Sequence, residues 1–385
     1  MPPPGDLSGP MAPLSVAGRL DRVRAALAAR SDDGIRPNAL LVTTTANLRW
    51  LTGFTGSAGV LLMGPERTVL ATDGRYRTQA AEQLADSGVA DQVDLSIGGV
   101  VAQREALVAA AAGATAVGLE AGDVTWSAAT TWESVLDPLV VVATQGIVEG
   151  LRVVKDDDEV ARMERAAAIA DAALGSVLHL LAGVGDGAVL TESAFAAALD
   201  HAMRLGGAED RAFETIVASG ENSAKPHARP GPRVIRVGDP VVVDFGATYD
   251  GYRSDMTRTF CVGGAPTGEL ATVFDVVASS QAAGVAAVAP GVAAGDVDKA
   301  CRDRIAEAGW AERFEHGTGH GVGLDIHEGP AVGAGSTAIL QLGTVVTVEP
   351  GVYLPAVGGV RIEDTLVVTA TGSRPLTRFP KEVAV

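Results

Sequence analysis

The chain has 385 residues, of which 47% are hydrophobic and 20% charged, and a formal net charge of −17. That length allows two domains with substantial cores, while the acidic balance argues against nucleic acid, whose phosphates need clustered Lys and Arg. Cys261 and Cys301 are the only cysteines and neither stands in a Cys-x-x-Cys spacing, so neither a disulfide framework nor a thiolate metal site is expected, and a reducing cytoplasm is the expected location.

The Pro-rich start lacks the basic and apolar regions of a signal peptide, and residues 1–15 are expected to be a disordered lead-in. From 16 to 149 strand and helix signals alternate. A helix is expected over Val16–Ala29, strands at Ala39–Val42, Val60–Met63, Thr68–Thr72, Ala116–Leu119 and Leu139–Ala143, and helices near Tyr76–Ser87, Val101–Ala112 and Thr125–Leu136. This alternation predicts an α/β domain, and no cluster of acids or histidines assigns it any chemistry. The longest apolar stretches, such as Ala106–Ala114, read as too short to cross a bilayer, so no membrane role is expected.

Near Glu149 the texture changes, and residues 150–385 are expected to form a second domain. The acidic run Asp156, Asp157, Asp158 and Glu159 reads as the first turn of a long Ala-rich helix, where carboxylates favour the positive end of the helix dipole. A second helix is expected over Glu192–Arg204.

The stretch Val241–Phe260, "VVVDFGATYDGYRSDMTRTF", carries the chemistry. Asp250-Gly251 is a tight-turn signal between two alternating runs; with these as the turn residues, Asp244 faces Thr257 and Asp255 lies diagonally beside it on the same face, about 7–8 Å away. Such a spacing suits two carboxylates converging on one cation or on a pair about 3.5–4 Å apart. The device recurs downstream: "GDPVVVDFG" falls on "GTVVTVEPG" and "GYRSD" on "GVRIE", aligning Asp244 with Glu349 and Asp255 with Glu363. Four carboxylates on apolar strands need compensating positive charge. Arg253 and Arg361 offer a salt-bridged structural alternative; with His320, the oxygen-rich set suits Mn²⁺, Co²⁺ or Zn²⁺.

His320 belongs to "EHGTGHGVGLDIHEGP" with His316 and His327. On one regular strand His320 and His327 point to opposite faces, so the glycines are expected to supply a bend that brings both to one pocket. His227, in "ENSAKPHARPG", sits on a Pro-flanked loop where a neutral imidazole is able to donate to a substrate carbonyl.

In order, these motifs resemble the M24 metallopeptidases, specifically the Xaa-Pro aminopeptidase and Xaa-Pro dipeptidase (prolidase) branch; "VTVEPGVYLP", "GGVRIEDTLVVT" and, near the N-terminus, "NLRWLTGFTGSAGVLLM" and "LATDGRY" belong to the same likeness. The resemblance implies a creatinase-like α/β domain over 16–149 and a pita-bread catalytic domain over 150–385, an α/β (α+β) chain overall. It implies two divalent metal ions, Mn²⁺ first among them, with Asp244 on one, His320 and Glu349 on the other, and Asp255 and Glu363 shared. It makes His227, His327 and Glu349 the catalytic groups, His316 and Arg361 substrate contacts with Arg361 supporting Glu363, the substrate a peptide with proline second, and the assembly a homodimer. A metal-free creatinase-like hydrolase or an inert interaction module is the rival reading, but such chains are expected to have lost ligands that all stand here. Resembling prolidases commonly continue "HEEPR" where this chain reads "HEGPA", which favours an aminopeptidase accepting longer peptides over a strict dipeptidase.

Overall fold

The computed structural model describes residues 9, 11–29, 34–381 and 383–385, and divides into two compact units, Pro10–Arg152 and Val153–Val385. Most of the lead-in expected over 1–15 lies outside the described residues. At its end Leu14 is buried.

The first unit is built on one mixed sheet of six strands, β1 (Ala39–Val42), β2 (Gly59–Met63), β3 (Thr68–Thr72), β4 (Asp94–Ile97), β5 (Ala116–Glu120) and β6 (Val140–Thr144), in the order β4-β3-β2-β1-β5-β6. The pairs β1–β2, joined through a helix, and β2–β3, a hairpin, are antiparallel, whereas β3–β4, β1–β5 and β5–β6 are parallel, with helices in the intervening chain. Leu41, Leu62, Val69, Ala71, Val117 and Leu119 bury one face beneath Leu107, Ala110 and Leu136. The sequence signals missed three elements here, the edge strand β4, whose "DLSI" is only half-buried, the short helix Ile147–Arg152, and the short helix Thr45–Thr52, which ends at Gly53 with φ 73°. Arg19, itself buried, donates to the Trp50 carbonyl at 3.0 Å and stacks over its ring.

The second unit opens with the helix Asp157–Val177. The Asp156 side chain accepts the Glu159 N–H and the Glu159 carboxylate accepts that of Asp156, a reciprocal capping box. The acidic run is thus a helix start, as its dipole preference requires. By length and composition the helical stretch Asp157–Gly185 and the helix Gly268–Ala287 are both apolar enough to cross a membrane, contrary to the sequence expectation that every apolar stretch falls short. Both bury a stripe in a protein core instead: Ile169, Ala173 and Leu174 from the first join Phe195, Leu199 and Val243, and Val273 and Val277 from the second join Val346 and Val360.

The strands of this unit are β7 (Asp210–Arg211), β8 (Ile216–Ser219), β9 (Pro240–Phe245), β10 (Ala247–Tyr249), β11 (Tyr252–Arg253), β12 (Met256–Cys261), β13 (Gly319–Gly321), β14 (Glu328–Val332), β15 (Val345–Val348), β16 (Gly351–Leu354), β17 (Gly358–Arg361), β18 (Asp364–Thr369) and β19 (Gly372–Pro375). They form sheets β12-β9-β8, β11-β10-β7, β14-β13-β15-β18-β19 and β16-β17.

Both halves of the internal repeat are long hairpins that change sheet midway. In the first, β9 pairs with β12 and β10 continues with β11 in one unbroken register, Asp244 opposite Thr257 and Tyr249 opposite Tyr252. Asp250 and Gly251 close it with φ of 44° and 70°, the left-handed pair a type I′ turn requires. At Gly246, where the hairpin passes from one sheet to the other, a Cβ would meet the Ser254 carbonyl oxygen at 1.9 Å, so only glycine allows the two backbones this close. In the second half β15 pairs with β18 and β16 with β17, again in one register, which sets Glu349 opposite Glu363 at the gap between the sheets. Asp255, Glu349 and Glu363 therefore sit where the hairpins switch sheets, and Asp244 lies near the end of β9 just before the first switch, paired with Thr257 and Ile216.

Candidate metal centre

Asp244, Asp255 and Glu363 each bring a carboxylate oxygen within 4.8 Å of the others. They line a cavity of about 260 Å³ together with His227, His316, His320, His327, Glu349 and Arg361. All nine sequence-predicted site residues thus meet in one place.

Arg361 is buried and spends its guanidinium inside the protein. Nη2 donates to Asp244 Oδ2 at 2.6 Å, Nη1 to the Tyr353 hydroxyl at 2.8 Å and the Pro226 carbonyl at 3.2 Å, and Nε to Thr257 Oγ1 at 3.2 Å. Thr257 Oγ1 in turn donates to Glu363 Oε2 at 2.7 Å. The expected support for Glu363 therefore runs through a threonine, the direct partner is Asp244, and every guanidinium nitrogen already has a protein acceptor. Arg253 also stays away from the acids: its Nη1 donates to the Ala212 carbonyl and its backbone N–H to Gly323. The salt-bridged alternative accounts for one carboxylate of four.

What remains is a deficit of positive charge. Among the described residues Asp244 Oδ1 and Glu363 Oε1 are buried with no hydrogen-bond partner, and an orphaned carboxylate oxygen costs the full desolvation of its charge. Burial, with the charges of Glu363, Asp244 and Glu349, pushes the Asp255 carboxyl well above its ordinary range. Burial and the charges of Glu349 and Asp244 do the same to Glu363, and burial pushes Glu349 up to about 8. The donor set fits divalent cations: two unsatisfied carboxylate oxygens, hard oxygen donors and one imidazole.

The imidazole is oriented for the same purpose. The Nδ1 of His320 lies 3.0 Å from the Gly321 carbonyl oxygen and so carries the proton, which leaves the Nε2 lone pair facing Glu349 Oε1 at 3.4 Å and Asp255 Oδ2 at 3.5 Å. Burial lowers its pKa to about 4, keeping the ring neutral. His320 lies on β13 and His327 immediately before β14, and their rings stand 4.4 Å apart, edge to face. The two meet, as expected, in one pocket, and the bend that brings them together is the chain reversal between the antiparallel strands β13 and β14, which runs through Gly321 and Gly323.

His316 is held through both ring nitrogens. Its Nε2 lies 2.8 Å from the Tyr353 hydroxyl and its Nδ1 2.8 Å from the Gly317 carbonyl oxygen. Arg361 donates to that hydroxyl, the hydroxyl donates to Nε2, and Nδ1–H donates to Gly317. Both ring nitrogens are thus engaged, and only the ring body is left to face the cavity. Burial, reinforced by Arg361, holds its pKa near about 4. Tyr353 and Thr257 escaped the sequence reading although each had a signal: Tyr353 stands in "EPGVYLP" and Thr257 was already placed opposite Asp244. His227 is exposed at the cavity wall, one residue beyond the carbonyl that Arg361 holds.

The raised carboxyl values carry a linkage. In the unfolded chain these groups ionise near about 4, whereas in the metal-free fold Glu349 holds its proton to about 8. Between those values the fold binds more protons than the unfolded chain, so stability is fully present below the lower value and is lost as pH rises through the upper one. Metal-free protein is therefore expected to melt at progressively lower temperature from about pH 5 to about pH 8, and an added divalent cation, which needs ionised ligands, to stabilise it most at the upper end. Thermal melts with and without cation check this; a metal-free melting temperature that climbs across that window contradicts it.

A buried carboxylate and imidazole centre at the switch points of two repeated hairpins defines a metallohydrolase. The chain belongs to metallopeptidase family M24, whose profile matches residues 161–370, and the Creatinase/Prolidase N-terminal domain profile matches residues 19–154. It is 39% identical over 349 residues to the uncharacterized peptidase YqhT of Bacillus subtilis, covering 90% of this chain and 96% of that one. Among solved structures it resembles the Xaa-Pro dipeptidase from Bacillus anthracis, with a TM-score of 0.88 and 36% identity over 96% of this chain and 100% of that one. The X-Pro aminopeptidase from Thermotoga maritima superposes with a TM-score of 0.80 and 32% identity, over 90% and 97% of the two chains. The architecture is accordingly a creatinase-like domain followed by a pita-bread catalytic domain, and the protein is a metal-dependent peptidase.

Proposed function

We propose that this protein removes the first residue from peptides whose second residue is proline, as an Xaa-Pro aminopeptidase in the cytoplasm, with two divalent cations, Mn²⁺ before Co²⁺ or Zn²⁺, and as a homodimer. The observation that carries the metal reading is the pair of orphaned oxygens, Asp244 Oδ1 and Glu363 Oε1, inside a cluster of buried carboxylates. Proline selectivity rests on the relatives named as Xaa-Pro peptidases.

Asp244 would hold one cation, His320 and Glu349 the other, with Asp255 and Glu363 shared. When bound, such a pair supplies Lewis acidity to the scissile carbonyl and a water acidified to near neutral pH. The remaining work falls to side chains. Glu349, which a bound cation would keep ionised, would take a proton from water and return it to the leaving nitrogen. His227 and His327, at the cavity wall, donate to the carbonyl oxygen as it gains charge; burial lowers the pKa of His327, which favours a neutral donor. Arg361 holds Asp244 in place and presses the Tyr353–His316 chain against the cavity, so that the His316 ring serves as an apolar wall for substrate.

The aminopeptidase preference comes from Gly329 and Ala331 in "HEGPA". Ala331 lies exposed on β14, and a dipeptide's terminal carboxylate finds no arginine there. A charge-assisted contact is worth roughly 1.5–3 kcal/mol, or one to two orders of magnitude in preference. The expected result is a higher kcat/KM for an Xaa-Pro-Yaa tripeptide than for the matching Xaa-Pro dipeptide, with Ala331→Arg shifting the ratio about 10-fold or more toward the dipeptide. A parent enzyme strongly favouring the dipeptide would identify it as a strict dipeptidase instead.

A further inference from the structure

The loop that carries His227 is tied down at both ends by one buried carboxylate, and we infer that Glu192 is a positioning residue that sets His227 against the cavity. Glu192 is the first residue of the helix Glu192–Leu205 and is fully buried. Its Oε1 accepts the Ser219 N–H at 2.7 Å, the Ser219 hydroxyl at 2.8 Å and Asn222 Nδ2 at 3.1 Å; its Oε2 accepts the Gly231 N–H at 3.2 Å. Ser219 and Asn222 lead into the loop and Gly231 leads out of it. One side chain therefore spans both ends.

The backbone repeats the same tie. Glu192 N–H donates to the Arg233 carbonyl and Ser193 N–H to that of Gly231, so the helix start is bonded directly to the strand of chain leaving the loop. Arg233 closes the circuit, donating from Nη1 to Ser219 Oγ at 2.6 Å and to Asp239 Oδ2 at 2.6 Å. Within the loop, Lys225 N–H reaches the Asn222 carbonyl and Ala228 N–H reaches Lys225, which leaves His227 at the tip of a turn. The tip itself has one further anchor, the Pro226 carbonyl held by Arg361.

This arrangement exceeds what holding a helix start demands. A helix N-terminus is satisfied by its own cap, and Thr191 already accepts the Ala194 N–H there. A buried carboxylate with neutral donors on both oxygens, none from its own helix, is costly to desolvate. Its geometry places it between the two legs of the loop. An exposed imidazole on an untethered turn would wander, and a displacement of about 1 Å at a reacting group costs about 10²-fold in rate.

Glu192→Gln keeps the shape but turns one acceptor into a donor that faces N–H groups, which parts one leg. This inference rests on the role given to His227 above, and a double-mutant cycle separates the two. In metal-loaded enzyme, Glu192→Gln is expected to lower kcat about 10–100-fold with KM and metal content near parental values. Added to His227→Ala, it is expected to cost less than about 3-fold more, because there is no longer an imidazole to misplace. Asn222→Ala, which removes only one side-chain donor, is expected to show the same non-additivity at a smaller scale, and serves if the first variant folds poorly. Full additivity in both cycles, or loss of metal with Glu192→Gln, overturns the inference. An unchanged rate in His227→Ala alone overturns the role of His227 instead.

Discussion

Replacing Asp255 by Asn, or Glu363 by Gln, is expected to abolish turnover, by more than the about 10³-fold lost with a single oxyanion donor, and to lower metal content in the purified protein. Under the proposed ligand set each substitution removes a charge shared by two cations at once, and no neighbour stands ready to replace it. Asp255 and Glu363 are buried, the nearest guanidinium is committed to Asp244, Tyr353, Pro226 and Thr257, and the Thr257 hydroxyl already serves Glu363. The fold should persist, since in the metal-free state both groups favour the neutral form that Asn and Gln imitate. Metal analysis beside a peptide assay reads the result, and variants that keep both metals and near-parental rates would show the shared ligands to be placed wrongly.

The second large effect is expected at His227. His227→Ala should lose about 10²–10⁴-fold in kcat, the range of one acid/base or oxyanion group, while metal content stays at the parental level. The contrast with Asp255 lies in position: His227 is exposed at the cavity wall on a loop, outside the acid cluster. Its ring is therefore assigned to substrate. Loss of metal in this variant would move His227 into the ligand set and sink that assignment.

The hairpin that carries Asp244 and Asp255 was readable because its turn chemistry leaves one register. Asp250-Gly251 accepts the left-handed angles of a type I′ turn, and from there the pleat places Thr257 opposite Asp244 without further information. The repeat of acids was visible for the same local reason, and the capping box at Asp156 is written in four consecutive residues. What escaped were contacts whose partners lie far apart in the chain. Arg361 reaches Asp244 across 117 positions and Thr257 across 104, so no window of sequence shows that its guanidinium is consumed internally. That His320 and His327 share a pocket was legible from their glycines, but the form of the bend was not: a period-2 argument holds within a strand, and here the chain reverses between the two residues. The edge strand β4 and the short helix Thr45–Thr52 lack a run long enough for periodicity to speak.

One measurement bears on the central reading more directly than any substitution. Protein stripped of metal with a chelator is titrated with Mn²⁺ while bound metal and hydrolysis of an Xaa-Pro-Yaa tripeptide are followed in the same sample. The expected outcome is no turnover in the stripped protein, recovery with added Mn²⁺ that saturates near two equivalents per chain, and release of the free N-terminal residue as the first product. Full turnover with metal absent, or a fully loaded protein that leaves every Xaa-Pro peptide intact, would contradict the account.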